Sequence, residues 1–265
     1  MPRIQDDFLA TAIYLYRNRL DAEQNSQLGG SGFLLGYLDM HNTIMHVYAV
    51  TNAHVVREGF TVIRINKRFG GYDILELPAT AWLEHPDGDD LAACHTVLVP
   101  QHDFKFVASA GCVDKDKVTH FNIGVGDEVF MVGRFIGHSG EQKNLPIARF
   151  GNIAMMPSEN LVNGLGNKRQ HYLIEVRSVS GFSGSPVFVY DFPGSVAKGM
   201  RGKIMPDLLL GIDCGHLSVS EKHISAGVAA VVPAWCLLEL LEQPEMKRQR
   251  EEREAELARI RQGQA

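Results

Sequence analysis

Gly181-Phe182-Ser183-Gly184-Ser185-Pro186, led in by Ser180 and followed by the strand-like Val187-Phe188-Val189-Tyr190, carries the strongest chemical signal in the chain. A serine in a glycine-rich tight turn presents its hydroxyl without steric obstruction. The glycines also let successive backbone N–H groups point toward one spot, as stabilisation of an oxyanion requires. An ordinary Gly/Ser turn is the plain alternative. A free serine hydroxyl is a poor nucleophile, and it needs a base within hydrogen-bond reach that is itself oriented by a third group. The reading therefore moves outward from Ser183 to a histidine and a carboxylate at turn or strand-end positions.

Ala49-Val50-Thr51-Asn52-Ala53-His54-Val55-Val56 supplies the histidine: an apolar strand runs into a short polar turn with His54 in it. No other histidine of the eleven shares that strand-to-turn setting. The carboxylate comes from Glu84-His85-Pro86-Asp87-Gly88-Asp89-Asp90-Leu91-Ala92-Ala93, where Pro86 and Gly88 mark a loop and Leu91 opens an apolar run. Asp90 abuts that run directly and is preferred over Asp89 and Asp87, which leaves Asp89 as a solvated loop charge.

The rest of the chain frames these motifs. From about residue 26 to 233 it consists of short apolar or alternating runs punctuated by Gly, Pro, Asn and Asp. The candidate strands are Phe33–Leu38, Ile44–Val50, Thr61–Ile65, Ile74–Leu77, Leu91–Val97, Glu128–Val132, Ala148–Met155, Tyr172–Val176, Pro186–Val189, Leu208–Asp213 and Gly227–Val232. Many short strands with turn residues between them indicate an all-β sandwich or barrel. The polar stretch Pro100–Gly126 reads as a connection between two β halves. Asp6–Arg19 has apolar residues at three- and four-residue spacing and reads as an amphipathic helix within an N-terminal helical segment 1–25. Trp235, Leu237, Leu238, Leu240 and Leu241 predict a packed helix after Pro233. Lys247–Arg261 reads as a solvated charged helix with Arg248–Glu252 and Arg250–Glu254 pairs, or else as a partner-binding tail.

Composition narrows the function classes. Of 265 residues, 26 are basic and 31 acidic, a net charge of −5 that gives no whole-chain footprint for nucleic acid. No run of about 18 apolar residues occurs, so no spanning helix is expected, and no membrane-surface role is expected for the N-terminal helix. Cys94, Cys112, Cys214 and Cys236 contain no C-x-x-C pair. The N-terminus does not read as a secretory signal, so a cytoplasmic setting with reduced thiols is expected. Histidine and cysteine spacings match no metal site, and the glycine-rich Gly164–Lys168 lacks phosphate-loop spacing.

Taken together, Thr51-Asn52-Ala53-His54, Asp90-Leu91-Ala92 and Gly181-Phe182-Ser183-Gly184-Ser185-Pro186, in that chain order, resemble the trypsin-like (chymotrypsin-fold) serine proteases. The likeness is closer to the bacterial intracellular-type members than to the secreted, disulfide-rich ones, and covers roughly residues 29–233. It implies two antiparallel β-barrels with a site in the crevice between them. The first, 26–115, would carry His54 and Asp90, the second, 116–233, would carry Ser183, and a charged helix at 234–265 would follow. It further implies Ser183 as nucleophile, His54 as general base and then acid, and Asp90 as the group that holds the imidazole tautomer. The N–H groups of Gly181 and Ser183 would form the oxyanion hole. The activity implied is peptide-bond hydrolysis on a protein or peptide substrate with no cofactor. A catalytically silent peptide-binding or scaffolding module on the same fold is the alternative.

Three details bear on this resemblance. Phe182 stands where zymogen-activated members carry an aspartate, so activation by N-terminal cleavage is not expected, and the oxyanion turn is either preformed or ordered by substrate. Arg177 and Ser178 on one side of the primary pocket, with Asp213 and Cys214 on the opposite wall, are the candidate specificity residues. Arg177 would favour an acidic substrate side chain and Asp213 a basic one. Ser183, Asp213 and His223 also follow the chain order of α/β-hydrolases, but Ser185 replaces the second glycine of G-x-S-x-G and a strand rather than a helix follows.

Overall fold

The computed structural model describes residues 4–27, 29–39, 44–162, 168–176, 181–191, 208–218 and 225–261. The expected N-terminal helix over 6–19 is not one helix. Asp6–Leu9 is a single helical turn (α1), Ala12–Tyr16 is a strand (β1), and Arg19–Gln24 is a second short helix (α2), capped by the Asn18 side chain, which accepts from the Asp21 N–H. All five residues of β1 are buried. A strand covered on both faces reads as a continuous apolar run, and over five residues such a run does not differ from one side of a helix. Pairing decides the matter, because β1 lies between two other strands and so satisfies its backbone polar groups on both sides.

The first β unit is built from β1, β2 (Ser31–Asp39), β3 (Ile44–Thr51), β4 (Val62–Asn66), β5 (Tyr72–Glu76), β6 (Leu83–Glu84) and β7 (Ala92–Thr96), in the order β5-β4-β1-β2-β3-β7-β6. An eighth strand, β8 (Val107–Ala108), pairs parallel to β2. Its end strands do not pair with each other among the described residues, so this half is an open curved sheet rather than the closed barrel expected. Because β1 belongs to it, the unit begins inside the segment read as N-terminal helix. Between β3 and β4 lies the one-turn helix α3 (Ala53–Arg57), which carries His54.

The polar connection contains a helix the sequence did not announce, α4 (Lys115–Phe121), capped by Asp114. The second unit is a closed barrel. Its strands are β9 (Glu128–Gly133), β10 (Ile147–Met155), β13 (Tyr172–Glu175), β14 (Pro186–Asp191), β15 (Leu209–Ser218) and β16 (Ser225–Pro233), in the order β10-β13-β16-β15-β14-β9. A small hairpin, β11 (Asn160–Val162) with β12 (Lys168–Gln170), stands outside it. Every strand expected from the sequence is present, while β1, β6, β8, β11 and β12 were not foreseen. Apolar side chains of β2, β3, β9, β14 and the C-terminal helix share one core that joins the two units.

After the barrel, α5 (Ala234–Leu241) buries Leu237, Leu240 and Leu241, as its spacing predicts. The final helix, α6 (Pro244–Arg261), departs from the solvated reading. Met246 is buried, and Arg250 turns inward to donate to the Leu241 carbonyl at 2.9 Å and the Tyr48 hydroxyl at 3.1 Å, its guanidinium 4.3 Å from the centre of the Tyr37 ring. The buried His46 bonds Glu254 at 2.9 Å. The Arg248–Glu252 pair is exposed at 3.4 Å, a geometry that contributes little. Arg250→Ala is therefore expected to destabilise the protein by about 1.5–3 kcal/mol, since it strands a buried hydroxyl and carbonyl. Arg248→Ala is expected to leave stability unchanged. Denaturant midpoints of the two variants check this, and equal midpoints would show that α6 is not anchored through Arg250.

Candidate active site

At the end of β3 the chain turns into α3 with Asn52 extended, which places His54 in the first turn, facing the loop that enters β7. The Asp90 carboxylate meets it there with both oxygens. Oδ2 lies 2.6 Å from His54 Nδ1, and Oδ1 accepts the His54 backbone N–H at 2.9 Å. The fully buried Asn52 completes the frame, its Nδ2 donating to the Asp90 carbonyl at 2.8 Å. Asp90 is 4% exposed while the His54 ring retains a quarter of its side-chain surface, so the acid is sealed and the base is reachable. Since a carboxylate accepts, Nδ1 carries the proton in this bond and Nε2 is the basic nitrogen. Asp89 turns away from this pair. It is buried rather than solvated, with its carboxylate 3.3 Å from His85 and 3.9 Å from Arg169.

Burial of the His54 ring disfavours its charged form, but the hydrogen bond and charge of Asp90, joined by Glu58 and Asp213, outweigh that and hold its pKa above the ordinary histidine value. The sign follows directly. With a folded pKa above the unfolded one, the protonated pair stabilises the fold below about pH 6.5, and that contribution is lost as pH rises through the raised pKa.

The Ser183 turn is held peptide by peptide. Gly181 and Gly184 have φ of +95° and +89°, which only glycine adopts without strain. The Ser185 N–H donates to the Phe182 carbonyl at 2.8 Å and so orients the Phe182–Ser183 peptide. In a trans peptide the N–H lies opposite the carbonyl, so the Ser183 N–H points away from Ser185. Phe182 is fully buried in the core of the second barrel, with the Arg149 guanidinium 5.0 Å from its ring centre. An apolar anchor thus stands where an ion pair would serve in zymogen-activated proteins. The plane that carries the Gly181 N–H includes Ser180, which lies outside the described residues.

Backbone contacts carry Ser183 to the His54 side of the junction. The Ser183 carbonyl accepts the Ser31 N–H at 2.8 Å. A side chain on Gly30 would strike both that carbonyl and the Val55 methyls, and one on Gly184 would strike Thr51 Oγ1 at 2.4 Å. The Ser183 turn is therefore packed against the residues that flank His54 on either side. Among the described residues the His54 ring is hydrogen-bonded to Asp90 and not to Ser183.

Of the four candidate specificity residues, Arg177 and Ser178 lie outside the described residues. Asp213 is fully buried on β15, its N–H donating to the Ser185 carbonyl and its carbonyl accepting from the Gly184 N–H. Its charge reaches His54. Cys214 donates its thiol to the Ala230 carbonyl at 3.3 Å, and burial pushes its pKa well up, so the thiol stays protonated and unreactive. None of the four cysteines forms a disulfide. The α/β-hydrolase alternative fails on the fold, because Ser183 precedes β14 of an antiparallel barrel; His223 lies outside the described residues. A cavity of about 580 Å³ adjoins the turn, walled by the 136–145 loop and Asn25, with Ile136 lying against Gly181. Arg64 ties that loop to the first sheet, donating to Asn144 Oδ1 at 2.8 Å and to the Gly140 carbonyl at 2.6 Å.

Two residues that shape the site had no role in the sequence reading. Asn52 stands inside the His54 motif, where a polar side chain between apolar neighbours was the available signal. Ser31 sits in Gly29-Gly30-Ser31-Gly32, a run of small residues opening a strand, which marks a close approach of another backbone.

No family model and no curated protein matches the sequence. Among solved structures the chain is similar to the MamO protease domain from Magnetospirillum magneticum, with TM-score 0.57 and 15% identity over 89% of this chain and 98% of that one. It is also similar to Deg5, with TM-score 0.52 and 15% identity over 88% of both chains. The HtrA-type protease AlgW with a tripeptide gives TM-score 0.50 and 19% identity over 87% of this chain and 58% of that one. At such identities the likeness speaks for the fold. The chain has the chymotrypsin-like fold of the trypsin-like serine proteases, and its structural neighbours are proteases of the HtrA and Deg type.

Proposed function

We propose that this chain is a serine endopeptidase that cleaves extended peptide segments through an acyl-enzyme intermediate. The observation that carries the reading is the double hydrogen bond of buried Asp90 to His54, packed against the turn that presents Ser183. His54 Nε2 takes the proton of the Ser183 hydroxyl as Oγ attacks the scissile carbonyl carbon. The resulting oxyanion is stabilised by the Ser183 N–H, whose peptide the Ser185 N–H holds through the Phe182 carbonyl, together with the Gly181 N–H. The imidazolium, whose charge Asp90 balances, returns its proton to the leaving amine as the C–N bond breaks. Water then attacks the acyl-enzyme by the same proton route, releasing the acid and restoring Ser183. The tripeptide held by AlgW fits a peptide as ligand of this fold. A silent peptide-binding module is the second reading, favoured by the unmade bond between Ser183 and His54.

The pH dependence of hydrolysis tests the choice. Because His54 acts as base only when neutral and its pKa is raised by Asp90, kcat/KM is expected to rise with pH through a single midpoint above 6.5 and then level off. A flat profile from pH 5.5 to 8.5, or no hydrolysis of any unfolded protein by a well-folded sample, would remove the peptidase reading.

A further inference from the structure

We propose that Ser31 is a positioning residue of the oxyanion turn, its hydroxyl and its backbone N–H tying the first β unit to the two peptide planes that flank the Ser183 N–H; the inference rests on the peptidase reading. Ser31 is fully buried at the start of β2, and every polar group it has is engaged at the junction. Its hydroxyl donates to the Gly181 carbonyl at 2.7 Å and accepts the Arg134 N–H, just beyond β9, at 2.8 Å. Its N–H donates to the Ser183 carbonyl at 2.8 Å. Its carbonyl accepts the Thr51 hydroxyl, three residues before His54, at 2.7 Å.

The chemistry of the turn makes this arrangement consequential. The Gly181–Phe182 peptide is oriented by the Ser31 hydroxyl, and the Ser183–Gly184 peptide by the Ser31 N–H together with the Asp213 carbonyl, which accepts the Gly184 N–H. The Phe182–Ser183 peptide, which bears the N–H aimed at the oxyanion, lies between these two. Gly181 has no side chain to resist rotation of its peptide, so an outside partner must hold it. Room for that partner comes from glycine on the other side: a side chain on Gly133 would lie 3.0 Å from Ser31 Oγ, and one on Gly184 would lie 2.1 Å from the Ser31 carbonyl. Ser31 forms no hydrogen bond to His54 or Asp90 among the described residues, so its influence falls on oxyanion stabilisation and not on the base.

Ser31→Ala in the full chain isolates the hydroxyl. The expected result is a kcat about 10–100-fold lower, a KM within about twofold of wild type and an unchanged pH midpoint, because only a transition-state interaction is misplaced. Amide hydrogen exchange is expected to accelerate at Gly184 and Ser185 while 53–57 keeps its rate. Ser31→Cys, with a weak donor of similar length, is expected to fall between the two and serves if the alanine variant does not fold. A kcat within twofold of wild type would overturn the proposal, as would a uniform rise in exchange across the chain. If the wild type hydrolyses nothing, the peptidase reading fails, while the exchange comparison still decides whether Ser31 holds the turn.

Discussion

Ser183→Ala is expected to lower kcat for peptide hydrolysis by about 10⁶-fold, with His54→Ala costing nearly as much and the double variant no more than either alone. The reason is that the hydroxyl and the imidazole are two parts of one step. Without Nε2 to accept its proton, the Ser183 hydroxyl is no better a nucleophile than water. Without the hydroxyl, the base has only water to activate, in a cleft shaped for an acyl group. What remains in either variant is stabilisation by the N–H groups of the turn, which the substitutions leave in place, because the Ser185–Phe182 and Ser31–Ser183 bonds involve backbone atoms of the turn. Steady-state kinetics on a chromogenic peptide amide checks this. Effects that multiply in the double variant would show that the two residues do not act as a unit.

Asp90→Asn is expected to cost about 10⁴-fold in kcat at neutral pH while leaving the protein folded. Asp90 uses one oxygen for the His54 backbone N–H and the other for Nδ1. Asparagine has only one oxygen. If that oxygen keeps the backbone bond, its NH₂ group faces Nδ1 and obliges that nitrogen to accept, which moves the ring proton to Nε2. The base is then protonated on the nitrogen that must receive the serine proton. Asp89→Asn, by contrast, is expected to leave kcat close to wild type, because Asp89 faces His85 and Arg169. Similar losses from both variants would contradict the assignment of the orienting group.

Much of this was legible in the sequence, and the exceptions share a cause. The strands of both β units are legible as short apolar runs bounded by turn residues, β4 and β9 among them although nearly all their residues are buried. Strand β1 is not, because its apolar residues continue the three- and four-residue spacing that begins at Phe8 and Leu9 and so read as one side of a helix. The preference for Asp90 followed from its position at the mouth of an apolar run, but the burial of Asp89 depended on His85 and Arg169, which only the fold brings near. Helix α6 reads as polar all round, and its attachment rests on the inward Arg250, the buried Met246 and the bond of Glu254 to His46, too few residues to make an apolar stripe. Ser31 was hidden for the same reason. Its partners Gly181, Ser183 and Arg134 are more than a hundred residues away in sequence, and nothing local distinguishes a serine that ties two β units together from one that faces water.

Covalent labelling with a fluorophosphonate, located by mass spectrometry, tests most directly whether Ser183, His54 and Asp90 work as one proton-transfer unit. The predicted result is one phosphonyl group on Ser183 of the wild type, with labelling slower by about 10²–10⁴-fold in His54→Ala and reduced in Asp90→Asn. A folded wild-type protein that takes no label, or one that labels as fast without His54, would contradict the account.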